Sequence, residues 1–104
     1  IINILSVAAN TIFEDSSVYS ASKAGLLSMS NSLRLELRGK NIKVTNIFPG
    51  AVETPIWDSK TRQKYKNRML SPMDIANSAL YAFNQPKKVM IEDIIIRPIK
   101  GDIV

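Results

Sequence analysis

The chain opens on an almost unbroken apolar run with β-branched residues, Ile1-Ile2-Asn3-Ile4-Leu5, which predicts a short strand buried on both faces, as in a parallel sheet. A loop follows, ending in Glu14-Asp15-Ser16-Ser17, residues suited to capping a helix. From about Ser17 to Arg38 the rhythm turns helical, with Ala21, Ala24, Leu27, Leu33, Leu35 and Leu37 as apolar positions and Gly39 as the stop. The small residues of this helix, Ala21, Ser22, Ala24, Gly25, Ser28 and Ser30, suit either tight helix packing or the close approach of a cofactor. Ile42 to Phe48 reads as a second strand, ended by Pro49-Gly50. Strand, helix and strand make a βαβ unit with parallel strands and a right-handed crossover.

A turn-rich segment, residues 51 to 57, leads to a basic, helical stretch from about Asp58 to Met69. Ser71-Pro72-Met73-Asp74 supplies an N-cap, a proline at the first helical position and an acid in the first turn, and predicts a helix to about Asn84 that Gln85-Pro86 ends. Val89 to Arg97 is a last β-rich run, closed by Pro98. The order β-α-β-α-α-β predicts an α/β fold, an open parallel sheet with helices on its faces. Three strands make a thin sheet, and a first strand as apolar as an interior one implies a neighbour beside it. The chain therefore reads as the C-terminal half of a Rossmann-like doubly wound domain whose N-terminal half lies outside these residues. It begins at Ile1, with neither an initiator methionine nor a signal peptide, which reads as a cut end.

Composition narrows the chemistry. The 104 residues include no histidine and no cysteine, which removes Ser-His-Asp triads, thiol chemistry, disulfides and the usual zinc sites. No segment approaches the roughly 20 apolar residues that a membrane span needs, so a cytoplasmic protein without a membrane partner is expected. The net charge of +5 arises largely in Lys60, Arg62, Lys64, Lys66 and Arg68. A nucleic-acid surface would add stacking aromatics, a motif or a longer basic stripe, so this run reads as a solvated helix face near a substrate entrance, with polyanion binding the lesser alternative.

Proton transfer must then fall to Tyr, Lys, Asp or Glu. Tyr19 and Lys23 stand at i,i+4 on the long helix, one turn apart on one face, and Ser6 lies 13 positions before the tyrosine. A phenol exchanges protons poorly at neutral pH unless a nearby cation favours the phenolate, and Lys23 can supply that cation. Ser6 adds a neutral hydroxyl able to hydrogen-bond a substrate oxygen. The combination points to carbonyl/alcohol redox chemistry.

Four blocks, Asn3-Ile4-Leu5-Ser6, Tyr19-Ser20-Ala21-Ser22-Lys23-Ala24-Gly25, Asn46 to Thr54 and Pro72-Met73-Asp74-Ile75-Ala76, resemble in order and spacing the catalytic half of short-chain dehydrogenases/reductases, essentially from end to end. By that resemblance residues 1 to 104 form the catalytic half of one Rossmann-fold domain. Tyr19 is then the general acid/base, Lys23 the residue that favours its phenolate and holds the nicotinamide ribose, and Ser6 the residue that orients the substrate oxygen. Plain structural roles, a half-buried helix tyrosine, its solvated neighbour and a strand-end cap, are the alternatives. The resemblance also makes Tyr19, Lys23, Pro49, Gly50, Val52 and Thr54 contacts of the nicotinamide cofactor, and puts Trp57, with Tyr65 and Met69, in the substrate lid. Core packing explains those three equally well.

Leu5 stands where the family often has a second serine, and Ala9 or Asn10 where it often has a glycine, but Ser6 fills the catalytic position. No glycine-rich phosphate loop occurs in these residues, so the chain alone is expected neither to bind a dinucleotide tightly nor to turn over. The closing segment resembles that of NADP-dependent 3-hydroxy acid and serine dehydrogenases, which implies NADP, with NAD the alternative, and a small hydroxy acid. The family's use of the long helix and last strand as subunit contacts implies a homo-oligomer. The competing reading is a non-catalytic interaction or oligomerisation module.

Overall fold

The computed structural model describes residues 1–103 as a three-stranded parallel sheet with helices on its faces. β1 (Ile2–Ile4) leads through a 3-10 turn (Val7–Ala9) to the 22-residue helix α1 (Ser17–Arg38). β2 (Thr45–Pro49), α2 (Ser59–Tyr65), α3 (Pro72–Phe83) and β3 (Asp93–Ile96) follow. The strands lie in the order β1-β2-β3, with Asn3 opposite Asn46 and Ile47 opposite Ile94. Every residue of β2 is buried, because it has a strand on each side, α1 over one face and α3 packed against the other. The predicted cap of α3 forms in full: Ser71 Oγ accepts from the Asp74 N–H while the Asp74 carboxylate accepts from the Ser71 N–H at 2.7 Å.

Leu5, Val7 and Phe48 form the apolar core beneath α1, with Phe13, Leu26 and Leu27 packed around them. Further along α1 the seam becomes polar. Ser30, fully buried, hydrogen-bonds Asn46 of β2 and accepts from Asn3 of β1 at 2.8 Å. One turn on, the buried Arg34 donates to the Val44 carbonyl at 3.0 Å, the Glu92 carbonyl at 2.7 Å and the Asp93 carboxylate at 3.2 Å. The helix is thus pinned to all three strands by directional bonds that set its register on the sheet.

Several expectations are corrected. Ala21, Ala24 and Leu35, assigned to the apolar stripe, are exposed, and the face in contact runs instead through Lys23, Leu26, Leu27, Ser30, Arg34 and Leu37. Ser16 occupies the N-cap of α1 without a side-chain cap bond, its hydroxyl turning back to the Glu14 carbonyl. The strand anticipated from Ile42 begins at Thr45, and the one anticipated over 89 to 97 is confined to Asp93–Ile96. The basic helix stops at Tyr65 rather than near Met69. β1 is not buried on both faces: Ile2 is 36% and Ile4 46% exposed, on the face opposite the one where Asn3 meets α1.

Gly50 sits where β2 leaves the sheet, its N–H donating to the Ile96 carbonyl at 2.7 Å. A Cβ there would lie 3.1 Å from Pro98 Cδ and 3.3 Å from Arg97 Cα, so the end of β3 would have to shift. Gly50→Ala is expected to cost about 1–3 kcal/mol through this overpacking, read as a lowered urea midpoint at unchanged slope.

Candidate active site

Ser6 ends the first strand segment and caps the 3-10 turn, its Oγ accepting from the Ala8 N–H at 3.1 Å. Accepting that bond leaves the hydroxyl proton free to be donated. The side chain is buried between Leu5 and Val7, which anchor it in the core. Across from it, the first turn of α1 presents Tyr19, 41% exposed. Lys23 Nζ lies 5.8 Å from the centre of the Tyr19 ring and donates to the Ile4 carbonyl at 3.3 Å. The ammonium is therefore held between the helix and the end of β1.

The opposite wall is the segment after β2. Val52 forms a parallel bridge with Leu70, Glu53 N–H donating to the Leu70 carbonyl and Leu70 N–H to the Ala51 carbonyl. Residues 53–70 are thereby closed into a loop that carries α2. Trp57 Nε1 donates to the Val52 carbonyl at 2.9 Å, which folds the indole back over the bridge. Between the two walls lies a cavity of about 860 Å³. It is lined by eight of the ten residues singled out in the sequence: Ser6, Tyr19, Lys23, Pro49, Gly50, Val52, Thr54 and Trp57. Tyr65 and Met69 do not line it. Tyr65 packs instead under Lys64 and Arg68, whose cationic groups lie 4.9 and 5.5 Å from its ring.

The sequence profile of the short chain dehydrogenase family matches residues 1–65. The chain belongs to that family. A sepiapterin reductase of Chlorobaculum tepidum is 41% identical over 100 residues, 96% of this chain and 41% of that protein. An uncharacterized oxidoreductase of Staphylococcus haemolyticus is 36% identical over 95% of this chain and 42% of its own length. Among solved structures, the closed form of a serine dehydrogenase complexed with NADP+ superposes with a TM-score of 0.87 at 29% identity, covering 99% of this chain and 45% of that one. Serine dehydrogenase from Escherichia coli gives 0.80 at 28% identity, over 99% of this chain and 41% of that one. The chain thus spans about two fifths of the length of the short chain dehydrogenases it matches.

Within this family member, two features of the site went unread in the sequence. One is the tail: Asp102 and Ile103 line the cavity, and Arg97 holds Asp102 at 3.1 Å while donating to Thr11 Oγ1 at 2.9 Å. No spacing rule relates residues 86 positions apart. The other is the tie across the loop of residues 53–70. Arg62 Nε donates to the Glu53 carboxylate at 2.7 Å, joining α2 to the base of the loop, and Asp58 caps α2 by accepting from the Thr61 N–H at 2.9 Å. The Arg62 hydrogen bond holds the Glu53 carboxyl below its ordinary value of 4.5, and Glu53 in turn holds the guanidinium proton more tightly. A lowered carboxylate pKa contributes stability above the ordinary value and loses it as pH falls through the lowered one. Hydrogen exchange over residues 53–70 in Glu53→Gln is therefore expected to exceed wild type at pH 6, and by a smaller factor as the pH is lowered, after correction for intrinsic rates. Equal exchange at every pH would exclude the tie.

Proposed function

We propose that this chain supplies the proton-transfer side of an NAD(P)-dependent oxidoreductase that interconverts a carbonyl compound and a secondary alcohol, with Ser6, Tyr19 and Lys23 as its catalytic residues. The observation that carries the reading is the shared cavity, in which these three face the segment Pro49 to Thr54. Tyr19 gives a proton to the carbonyl oxygen in reduction and takes it back in oxidation. Lys23, beside the ring, stabilises the negative charge left on the phenol oxygen. Ser6, its lone pair engaged by Ala8, donates its hydroxyl proton to the same substrate oxygen and fixes its position.

The cavity suits a nicotinamide: Val52, Pro49 and Ile4 offer apolar surface to a flat ring, and the Lys23 ammonium offers donors to ribose hydroxyls. Tyr19, Lys23, Pro49, Gly50, Val52 and Thr54 would hold it, and when bound it supplies or accepts the hydride at the carbonyl carbon. NADP is the preferred form, supported by the NADP+ complex of the structurally similar serine dehydrogenase. The phosphate-binding residues would come from outside these 104, so this chain alone would be inactive, and the family's use of the long helix and last strand as subunit contacts supports a homo-oligomer of the full-length protein. NADPH and NADH oxidation by the full-length protein against a panel of ketones and keto acids tests the reading. Absence of turnover with every carbonyl compound, in protein shown to bind the cofactor, would sink it.

The exposed apolar edge of β1, Ile1, Ile2 and Ile4, favours a second reading, a truncated module that associates through its edge. Sedimentation of the 104-residue chain as a monomer at all concentrations would count against it.

A further inference from the structure

We propose that this cavity accepts an uncharged, largely apolar ketone or secondary alcohol and rejects substrates that carry a carboxylate, with Glu14 as a specificity-determining residue at its rim. The inference rests on the oxidoreductase reading and adds the substrate class. Away from the catalytic residues much of the lining is apolar, with Ile12, Phe13, Ile56 and Ile103 beside the polar Ser16, Thr54, Glu14 and Asp102. Ile12 and Ile56 belong to that lining as apolar side chains that a bound apolar group can contact.

The charges point the same way. Among the described residues Lys23 is the one cation lining the cavity; its Nζ donates to the Ile4 carbonyl beside Tyr19, and on the oxidoreductase reading its other donors serve the cofactor ribose. The other charged residues in the lining are both acids, Glu14 and Asp102. Asp102 is matched by Arg97, whereas Glu14 enters none of the ion pairs among the described residues. The cations of the 53–70 loop, Arg62 and Lys66, line a separate cavity of about 480 Å³ on the other side of Trp57, and Arg62 is already taken by Glu53. A carboxylate entering the main cavity would find no free guanidinium fork among the described residues and would meet the negative charge of Glu14.

The test compares kcat/KM of the full-length protein for benzoylformate and for its methyl ester, a pair that differs in the carboxylate. The ester is expected to be favoured by about tenfold or more, and Glu14→Gln, checked for an unchanged melting temperature, to narrow the ratio by about three- to tenfold. Equal or better use of the free acid, or a ratio that Glu14→Gln leaves unchanged, would overturn the inference while leaving the oxidoreductase reading intact. Turnover of no carbonyl compound at all would overturn both.

Discussion

Replacing Tyr19 by phenylalanine in the full-length protein is expected to lower kcat for ketone reduction by about 10²- to 10⁴-fold, the range that a positioned proton donor supplies. Phenylalanine keeps the ring against which Lys23 lies, so the helix turn and the Lys23 bond to the Ile4 carbonyl should persist. Cofactor affinity, followed by quenching of nicotinamide fluorescence, should therefore change little. Lys23→Met is expected to behave differently, losing turnover and weakening cofactor binding together, because one ammonium serves both. Ser6→Ala removes the hydroxyl and with it the bond from the Ala8 N–H, and should reduce kcat by less than Tyr19→Phe does. Turnover by Tyr19→Phe within tenfold of wild type would remove Tyr19 from the role of proton donor.

The largest effect on stability is expected from Arg34→Met. The side chain is 7% exposed and satisfies the carbonyls of Val44 and Glu92 and the oxygens of Asn31 and Asp93. Methionine matches much of the volume but leaves these acceptors without donors. The carboxylates of Glu92 and Asp93 are about half exposed and can rehydrate, so most of the cost falls on the two backbone carbonyls. A loss of about 2–4 kcal/mol follows, lowering the melting temperature of the full-length protein by about 5–15 °C. Arg34→Lys keeps the charge but lacks the fork and should fall between. A melting temperature for Arg34→Met within 2 °C of wild type, where about 5 °C or more is expected, would show that the buried bonds contribute nothing net.

Why Arg34 was invisible beforehand is instructive. On a helical wheel it reads as a solvated cation one residue from Leu33 and Leu35, and only the passage of Glu92 and Asp93 beneath the same turn makes burial possible. Leu35 departs from the apolar stripe for the same reason in reverse, since the polar seam through Ser30 and Arg34 turns it outward, where it is 70% exposed. Periodicity ranks the faces of a helix by apolarity, and here the face against the sheet is chosen by bonds to Asn3, Asn46 and Asp93 instead.

The sequence by itself determined what local chemistry controls: the β-α-β-α-α-β order, the Ser71–Asp74 capping box, the stop at Pro49-Gly50 and the one-turn spacing of Tyr19 and Lys23. Short-range sterics and hydrogen bonds act over three or four residues and are written in residue type and spacing. Tertiary structure alone decided the side of α1 that meets the sheet, the inclusion of Asp102 and Ile103 in the cavity wall, and the tie of Glu53 to Arg62 across the 53–70 loop. It also decided that Arg97 and Pro98, residues nearly fifty positions away, crowd the space a side chain at Gly50 would take. Each of these joins segments distant in sequence, and which distant segments meet depends on how the whole sheet packs.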